Sequence, residues 1–336
     1  MSGGAIGGET LASPGFAADL AALPERLAGG TVAIGNFDGV HRGHQAVLSA
    51  ALAGPGPVVA LTFEPHPRTF FGRETVFRLT PAPLKARIME ALGLDGMVVA
   101  RFDEALSLMG ADGFVEEVIV RRLRASRVVV GHDFSFGRGR SGRAEGLAAS
   151  GAAKGFGVTV VEPVAEAGGV VSSSRIRAHL AAAELEAAAA LLGYRYTVEA
   201  PVVHGEKRGR LMGYPTANQS LPPENGLSHG IYAVRVRIDG AWRDGVASFG
   251  RRPTFDNGRP LLETFVFDHE GDLYGRVLPV TLVRYLRPEM KFDGMDALVA
   301  QMDRDSLDAR AALAHLSPLS PLDEALNFRP AGTARI

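Results

Sequence analysis

Cysteine is absent from all 336 residues, which excludes disulfides, thiolate metal sites and a cysteine nucleophile. An excess of charge of one sign is lacking too. Lys and Arg number 36 against 37 Asp and Glu, so no global basic field draws the chain onto nucleic acid. No apolar run approaches the ~20 residues of a membrane span. The opening "MSGGAIGGETLASPGFAADL" has neither a basic leader nor a compact apolar stretch, so it does not read as a signal peptide. A G-x-G-x-x-G turn after a strand and a G-x-x-x-x-G-K-[ST] loop are both missing, which argues against a nicotinamide enzyme and a P-loop NTPase. The expectation is a cytoplasmic protein with small-molecule substrates and neither nucleic-acid nor membrane partners.

What is present divides in two. At this length, with 46% hydrophobic residues, each half can bury a core of its own. From Thr31 to about Leu192, short apolar runs alternate with helical stretches. The runs at 31–35, 58–65, 97–102, 127–131 and 158–164 lack the alternation of a half-exposed strand, as strands covered on both faces do. This rhythm predicts a doubly wound parallel sheet, with ligands at the C-terminal strand ends. "SSSRIRAHLAAAELEAAAALLG" (172–193) predicts one helix, capped by Ser and stopped by Gly193. Beyond Tyr194 the segments alternate or are rich in Val, Tyr, Phe and Thr. They predict a small antiparallel barrel closed by an amphipathic helix over 295–316. The expected organisation is a loose lead-in (1–30), an α/β domain (31–193), a β domain (194–316) and a mobile tail (317–336).

The first strand runs into "GNFDGVHRGH". Gly35 and Gly39 permit a tight or positive-φ backbone, and Gly43 lets a ligand approach the first helical turn. His41 and His44, three residues apart, project from one side of a helix start. Free N–H groups and the helix dipole already favour an anion there, and two imidazoles make the place a phosphate clamp. His66, in "PHP" after the next strand, also leaves a metal reading open, but no Asp, Glu or His group at ligand spacing completes such a site. "SSSRIR" reads equally as a helix cap and Asp133 as a turn residue, with Phe63 and Pro65 as core and strand end.

In the second half, "HGEKRGRLMGYPTANQS" spaces Gly205, Gly209 and Gly213 by four and adds Lys207, Arg208 and Arg210. Such a loop can wrap phosphates with backbone N–H groups. Thr216 and Asn218, two apart on a strand, would offer oxygens to a hard cation such as Mg²⁺ from one face. A basic hairpin with a Pro-led turn fits these residues equally well. A barrel gripping RNA is a third reading, drawn from "VRVRIDGAWR" with the single Trp242.

Taken together these words resemble a known family. "GNFDGVHRGH" resembles the signature of the HxGH nucleotidyltransferases. With "TFEPHP", "VGHDFSFGRGRSG" and "SSSRIR" it is similar, in order and spacing, to the adenylyltransferase module of bifunctional riboflavin kinase/FAD synthetases. "GRLMGYPTAN", "GIYAVRV" and "LLETFVFDHEGDLYG" resemble the riboflavin kinase module. The resemblance runs from about Thr31 to about Leu316 and implies two ATP-dependent steps, riboflavin to FMN and FMN to FAD. It implies that His41 and His44 act at the adenylyl centre. Gly35, Phe37, Asp38, Gly39, Gly43, Asp133, Ser173, Ser174 and Arg177 would bind that nucleotide, and Phe63, Pro65 and His66 the flavin. The Thr usual in the last signature is Ser174 here, with its hydroxyl kept. In the kinase module it implies Glu263 as general base. Nucleotide would be held by Gly205, Lys207, Gly209, Arg210, Gly213, Pro215, Thr216 and Asn218, with Mg²⁺ on Thr216 and Asn218.

Overall fold

The computed structural model describes residues 13–72, 75–166, 168–205, 213–251 and 259–329. Two compact units divide at Ser173/Ser174.

The first unit is built on six parallel strands: β1 (Ala17–Asp19), β2 (Thr31–Ile34), β3 (Val58–Glu64), β4 (Gly96–Arg101), β5 (Arg127–Gly131) and β6 (Gly157–Val161), in the order β1-β4-β3-β2-β5-β6. All four residues of β2 and the first five of β3 are buried, which accounts for their unbroken apolar character. Helix α1 (Arg42–Leu52) buries Val47, Leu48 and Ala51. Helix α2 (Ala82–Ala91) buries an apolar side that includes Leu84, Ile88 and Met89. β3 and β5 flank β2 on opposite sides, so the strand order reverses at β2. Such a reversal opens a crevice outside the C-terminal strand ends. Of the expected loose lead-in, residues 1–12 lie outside the described residues, and the remainder contributes β1, which pairs with β4 through Ala17–Met97 to Asp19–Val99. Three residues are too few for a strand pattern to be read from sequence.

The second unit is a closed antiparallel barrel. Its strands are β7 (Thr197–Val203), β8 (Ala217–Ser220), β9 (Gly230–Ile238), β10 (Ala241–Arg251), β11 (Pro260–Val266) and β12 (Val277–Arg287), in the order β7-β8-β11-β10-β9-β12. The stretch expected as one helix over 172–193 is two, α3 (Ser173–Ala181) and α4 (Leu185–Leu192). Ala183 between them has a left-handed φ of 61°. The turn is closed by Glu184 N–H donating to the His179 carbonyl at 2.9 Å and by the two side chains meeting at 2.6 Å. α4 lies with the barrel, where Glu186 approaches Arg284 of β12.

Helix α5 (Met295–Leu313) covers the barrel, fastened by Arg287 Nε donating to buried Asp305 at 2.7 Å. Of the residues expected as a mobile tail, 321–327 form α6 (Pro321–Asn327), and 330–336 lie outside the described residues. Its Asp323 is fully buried. It pairs with Arg195 and accepts from the backbone N–H groups of Arg195 and Leu319, while Phe328 lies under Arg235. One buried ion pair thus fixes a segment whose composition alone reads as solvated. Among the described residues, no helix is long and apolar enough to cross a membrane.

Candidate active sites

In the first unit the loop after β2 turns through Phe37, Gly39 and Val40, all at positive φ (48°, 87° and 35°). Two of these are not glycine, so the neighbours must hold the backbone there. Asp38, 4% exposed, accepts from the N–H groups of Leu79 (2.9 Å) and Thr80 (3.1 Å) through Oδ1. Thr80 Oγ1 takes the Gly39 N–H at 2.8 Å. Ser173, the first residue of α3, donates from Oγ to the Asp38 carbonyl at 2.8 Å. The distant "SSSRIR" signature thus joins the first one by a direct hydrogen bond, with Ser174 and Arg177 following on the same helix.

His41 is the N-cap of α1, and its Nδ1 accepts the His44 N–H at 3.3 Å. The ring proton of a neutral His41 is therefore on Nε2. The two imidazoles stack with centroids 3.6 Å apart, and Phe37 meets His44 edge-on at 5.3 Å. Among the described residues His44 Nδ1 is buried with no hydrogen-bond partner. Burial, then His41, then Lys85 hold the His44 imidazole well below its ordinary range, so it is neutral at physiological pH. A Cβ on Gly43 would press on the His41 ring at 3.2 Å, and one on Gly35 on the Phe37 ring at 3.2 Å.

The other expected residues leave the same end of the sheet. Phe63 lies near the end of β3, Pro65 and His66 follow the strand, Pro65 after a cis peptide bond, and His66 caps a short turn by accepting the Arg68 N–H. Phe63 packs on Phe102 and Phe114. Asp133 follows β5 in an exposed turn closed by Phe134 N–H to Gly131 carbonyl at 3.0 Å.

In the barrel, β8 and β11 pair so that Asn218 lies directly opposite Glu263, with Ser248 of β10 on the other side of Glu263. Opposite residues present their side chains on one face. Asn218 is 5% exposed and donates weakly to the Thr216 carbonyl; among the described residues its Oδ1 has no partner. A Cβ on Gly205 would overlap the Asn218 amide, so glycine there permits the contact. Thr216 precedes β8 rather than sitting within it. It lines a cavity of about 340 Å³ with Pro215, Thr264, Val266, His269 and Tyr274, within the size range of ligand pockets. Gly213 has a left-handed φ of 80°, while Lys207, Arg208, Gly209 and Arg210 lie outside the described residues. Among the described residues no group of three His, Cys, Asp or Glu gathers to hold a metal ion.

Residues 23–175 match the family model for FAD synthetase, and residues 192–313 that for riboflavin kinase. The bifunctional riboflavin kinase/FMN adenylyltransferase of Listeria monocytogenes is 39% identical over 293 residues, spanning 85% of this chain and 93% of that protein. The chain belongs to the bifunctional riboflavin kinase/FMN adenylyltransferase family. The Escherichia coli K12 member is also 39% identical, over 84% of this chain and 92% of its own. A crystal structure described as a macrolide-efflux protein from Streptococcus pneumoniae covers 90% of this chain and all of its own, at a TM-score of 0.76 and 27% identity.

Sequence reasoning missed the residues that hold the family's first loop from behind: Thr62, Glu64, Arg78, Thr80 and Lys85. One signal was there. Lys85 falls among Leu84, Ile88 and Met89 at helical spacing, a cation inside an apolar stripe.

Proposed function

We propose that the first unit transfers an adenylyl group from ATP to FMN at the His41–His44 loop, and that the barrel phosphorylates riboflavin with Glu263 as base. One observation supports this most directly: each unit separately gathers its own phosphate chemistry. The first has two stacked imidazoles at a helix start, and the second has Asn218, whose Oδ1 has no partner among the described residues, opposite a carboxylate.

In the barrel, Glu263 takes the proton of the riboflavin 5′-hydroxyl as that oxygen attacks the γ-phosphorus of ATP. FMN forms and ADP leaves. The cavity beside Thr216 is the proposed nucleotide site, with the Gly205–Gly213 loop and its Lys207 and Arg210 over the phosphates. Thr216 and the Asn218 carbonyl oxygen suit Mg²⁺, which keeps most of its shell as water and phosphate and needs few protein ligands. When bound, Mg²⁺ neutralises phosphate charge.

In the first unit, an FMN phosphate oxygen attacks the α-phosphorus of a second ATP, and pyrophosphate leaves. The nucleophile is already an anion, so alignment and charge stabilisation suffice. His41 donates from Nε2, and His44, Ser173, Ser174 and Arg177 complete the phosphate grip. Asp133 and the loop around Gly35 contact the nucleotide, and Phe63, Pro65 and His66 receive the flavin. Both steps consume ATP, and a cytoplasmic location is part of the proposal.

Incubation with riboflavin, ATP and Mg²⁺, followed by fluorescence-detected separation of the flavins, tests the reading. FMN should rise first and FAD follow. FMN alone would remove the adenylyl-transfer half of the proposal, and neither product would remove both.

A further inference from the structure

We propose that Lys85 is a positioning residue for adenylyl transfer, a role that rests on the reading of the His41–His44 loop given above. Lys85 is 2% exposed on α2. Its Nζ donates to the carbonyl of Asn36 at 2.9 Å and to Thr62 Oγ1 at 3.1 Å, and stands 3.6 Å from Glu64 Oε1. Thr62 Oγ1 itself donates to the same Asn36 carbonyl at 3.1 Å. Glu64 is shared, because Arg78 also pairs with it.

A buried ammonium is costly unless its protons are all directed at acceptors. Those acceptors come from two places: the C-terminal end of β3 and the first residue pair of the loop after β2. Asn36 immediately precedes Phe37, where the backbone enters its positive-φ run. A carbonyl fixed by a charged donor cannot rotate freely, and rotation of the Asn36–Phe37 peptide is what would release that run. The stretch just before α2 holds the next two residues: Leu79 and Thr80 amides on Asp38, and the Thr80 hydroxyl on Gly39. The segment 78–85 therefore grips Asn36, Asp38 and Gly39 in turn, and His41 begins two residues later. Among these groups Lys85 is the buried cation, and its charge also opposes protonation of His44.

A residue that sets the orientation of transition-state donors acts on kcat more than on KM. Steady-state kinetics of FMN adenylylation with full-length Lys85→Met, Lys85→Arg and Thr62→Val, with riboflavin phosphorylation recorded on the same samples, tests this. For Lys85→Met, kcat for FAD formation should fall roughly tenfold to a hundredfold, the loss expected for a hydrogen bond to a charged group. KM for ATP and FMN should change less than about threefold, and phosphorylation should be unaltered. Lys85→Arg should recover part of kcat. A variant with lower thermal stability but unchanged kcat would overturn the proposal, as would a rise in KM alone. Should Lys85→Met not fold, Thr62→Val decides, since it keeps the charge and nearly the same shape and removes both the bond from Lys85 and the bond to the Asn36 carbonyl. A several-fold lower kcat supports the role, and an unchanged one overturns it. Wild-type protein that makes no FAD would instead refute adenylyl transfer itself.

Discussion

Replacing Asp38 with alanine should disable FAD formation without touching FMN formation. The carboxylate is 4% exposed, and one oxygen accepts two backbone N–H groups, from Leu79 and Thr80. Alanine leaves both amides buried without an acceptor, at ~1–3 kcal/mol each, or about 2–6 kcal/mol together. Total stability of a domain is only about 5–15 kcal/mol, so the first unit would lose a large share of its margin. The loop that caps α1 through His41 would be freed at the same time. Asn at position 38 keeps a neutral acceptor of the same shape and should recover much of the loss. The assay is a thermal melt followed by flavin chromatography on the same protein. Asp38→Ala should lower the first unit's transition and its FAD rate while FMN accumulates normally. An Asp38→Ala protein with wild-type FAD production and an unshifted melt would refute the view that these two bonds hold the loop.

His44→Ala should stop FMN-to-FAD conversion, at a cost of ~2.7–4 kcal/mol in the transition state as for loss of one preorganised donor, while riboflavin is still phosphorylated. Glu263→Gln should do the reverse, and normal FMN formation by that variant would remove Glu263 as the base. The His44 imidazole is held below its ordinary range when folded, first by burial, and the unfolded chain takes up its proton near pH ~6.5. The stability this contributes is present above that value and lost as pH falls below it. The first unit's melting temperature should therefore drop more steeply below pH ~6.5 than in His44→Gln, and equal slopes would count against a neutral buried ring. Asp323→Ala leaves Arg195 buried without its carboxylate and should destabilise the barrel by about 3–5 kcal/mol, read as a lowered barrel transition.

Strands β2 to β5 were legible because burial on both faces writes itself into apolar runs, whereas β6, read as equally covered, has no buried residue. The His pair was legible because Gly35, Gly39 and Gly43 mark a turn that ligands can approach. Where the reading fell short, the missing information was not local. An alanine-rich stretch over 172–193 has every propensity for one helix, yet Ala183 turns left-handed because His179 and Glu184 close a bond across it. Residues after Leu316 look solvated until Asp323 meets Arg195, 128 positions away in the chain.

By itself the sequence determined which chemistry is present: two imidazoles at a helix start, hydroxyls before another helix, and a Thr and Asn beside a glycine-rich basic loop. It also determined the periods that make one half a parallel sheet and the other a barrel, since period is a property of neighbouring residues. Only tertiary structure decided which groups meet. Asn218 faces Glu263 through strand register, which pairs residues 45 positions apart. Ser173 reaches Asp38 across 135 positions, and Lys85 reaches Asn36 across 49. Those contacts follow from how strands and loops close on one another, and no local pattern encodes the closure.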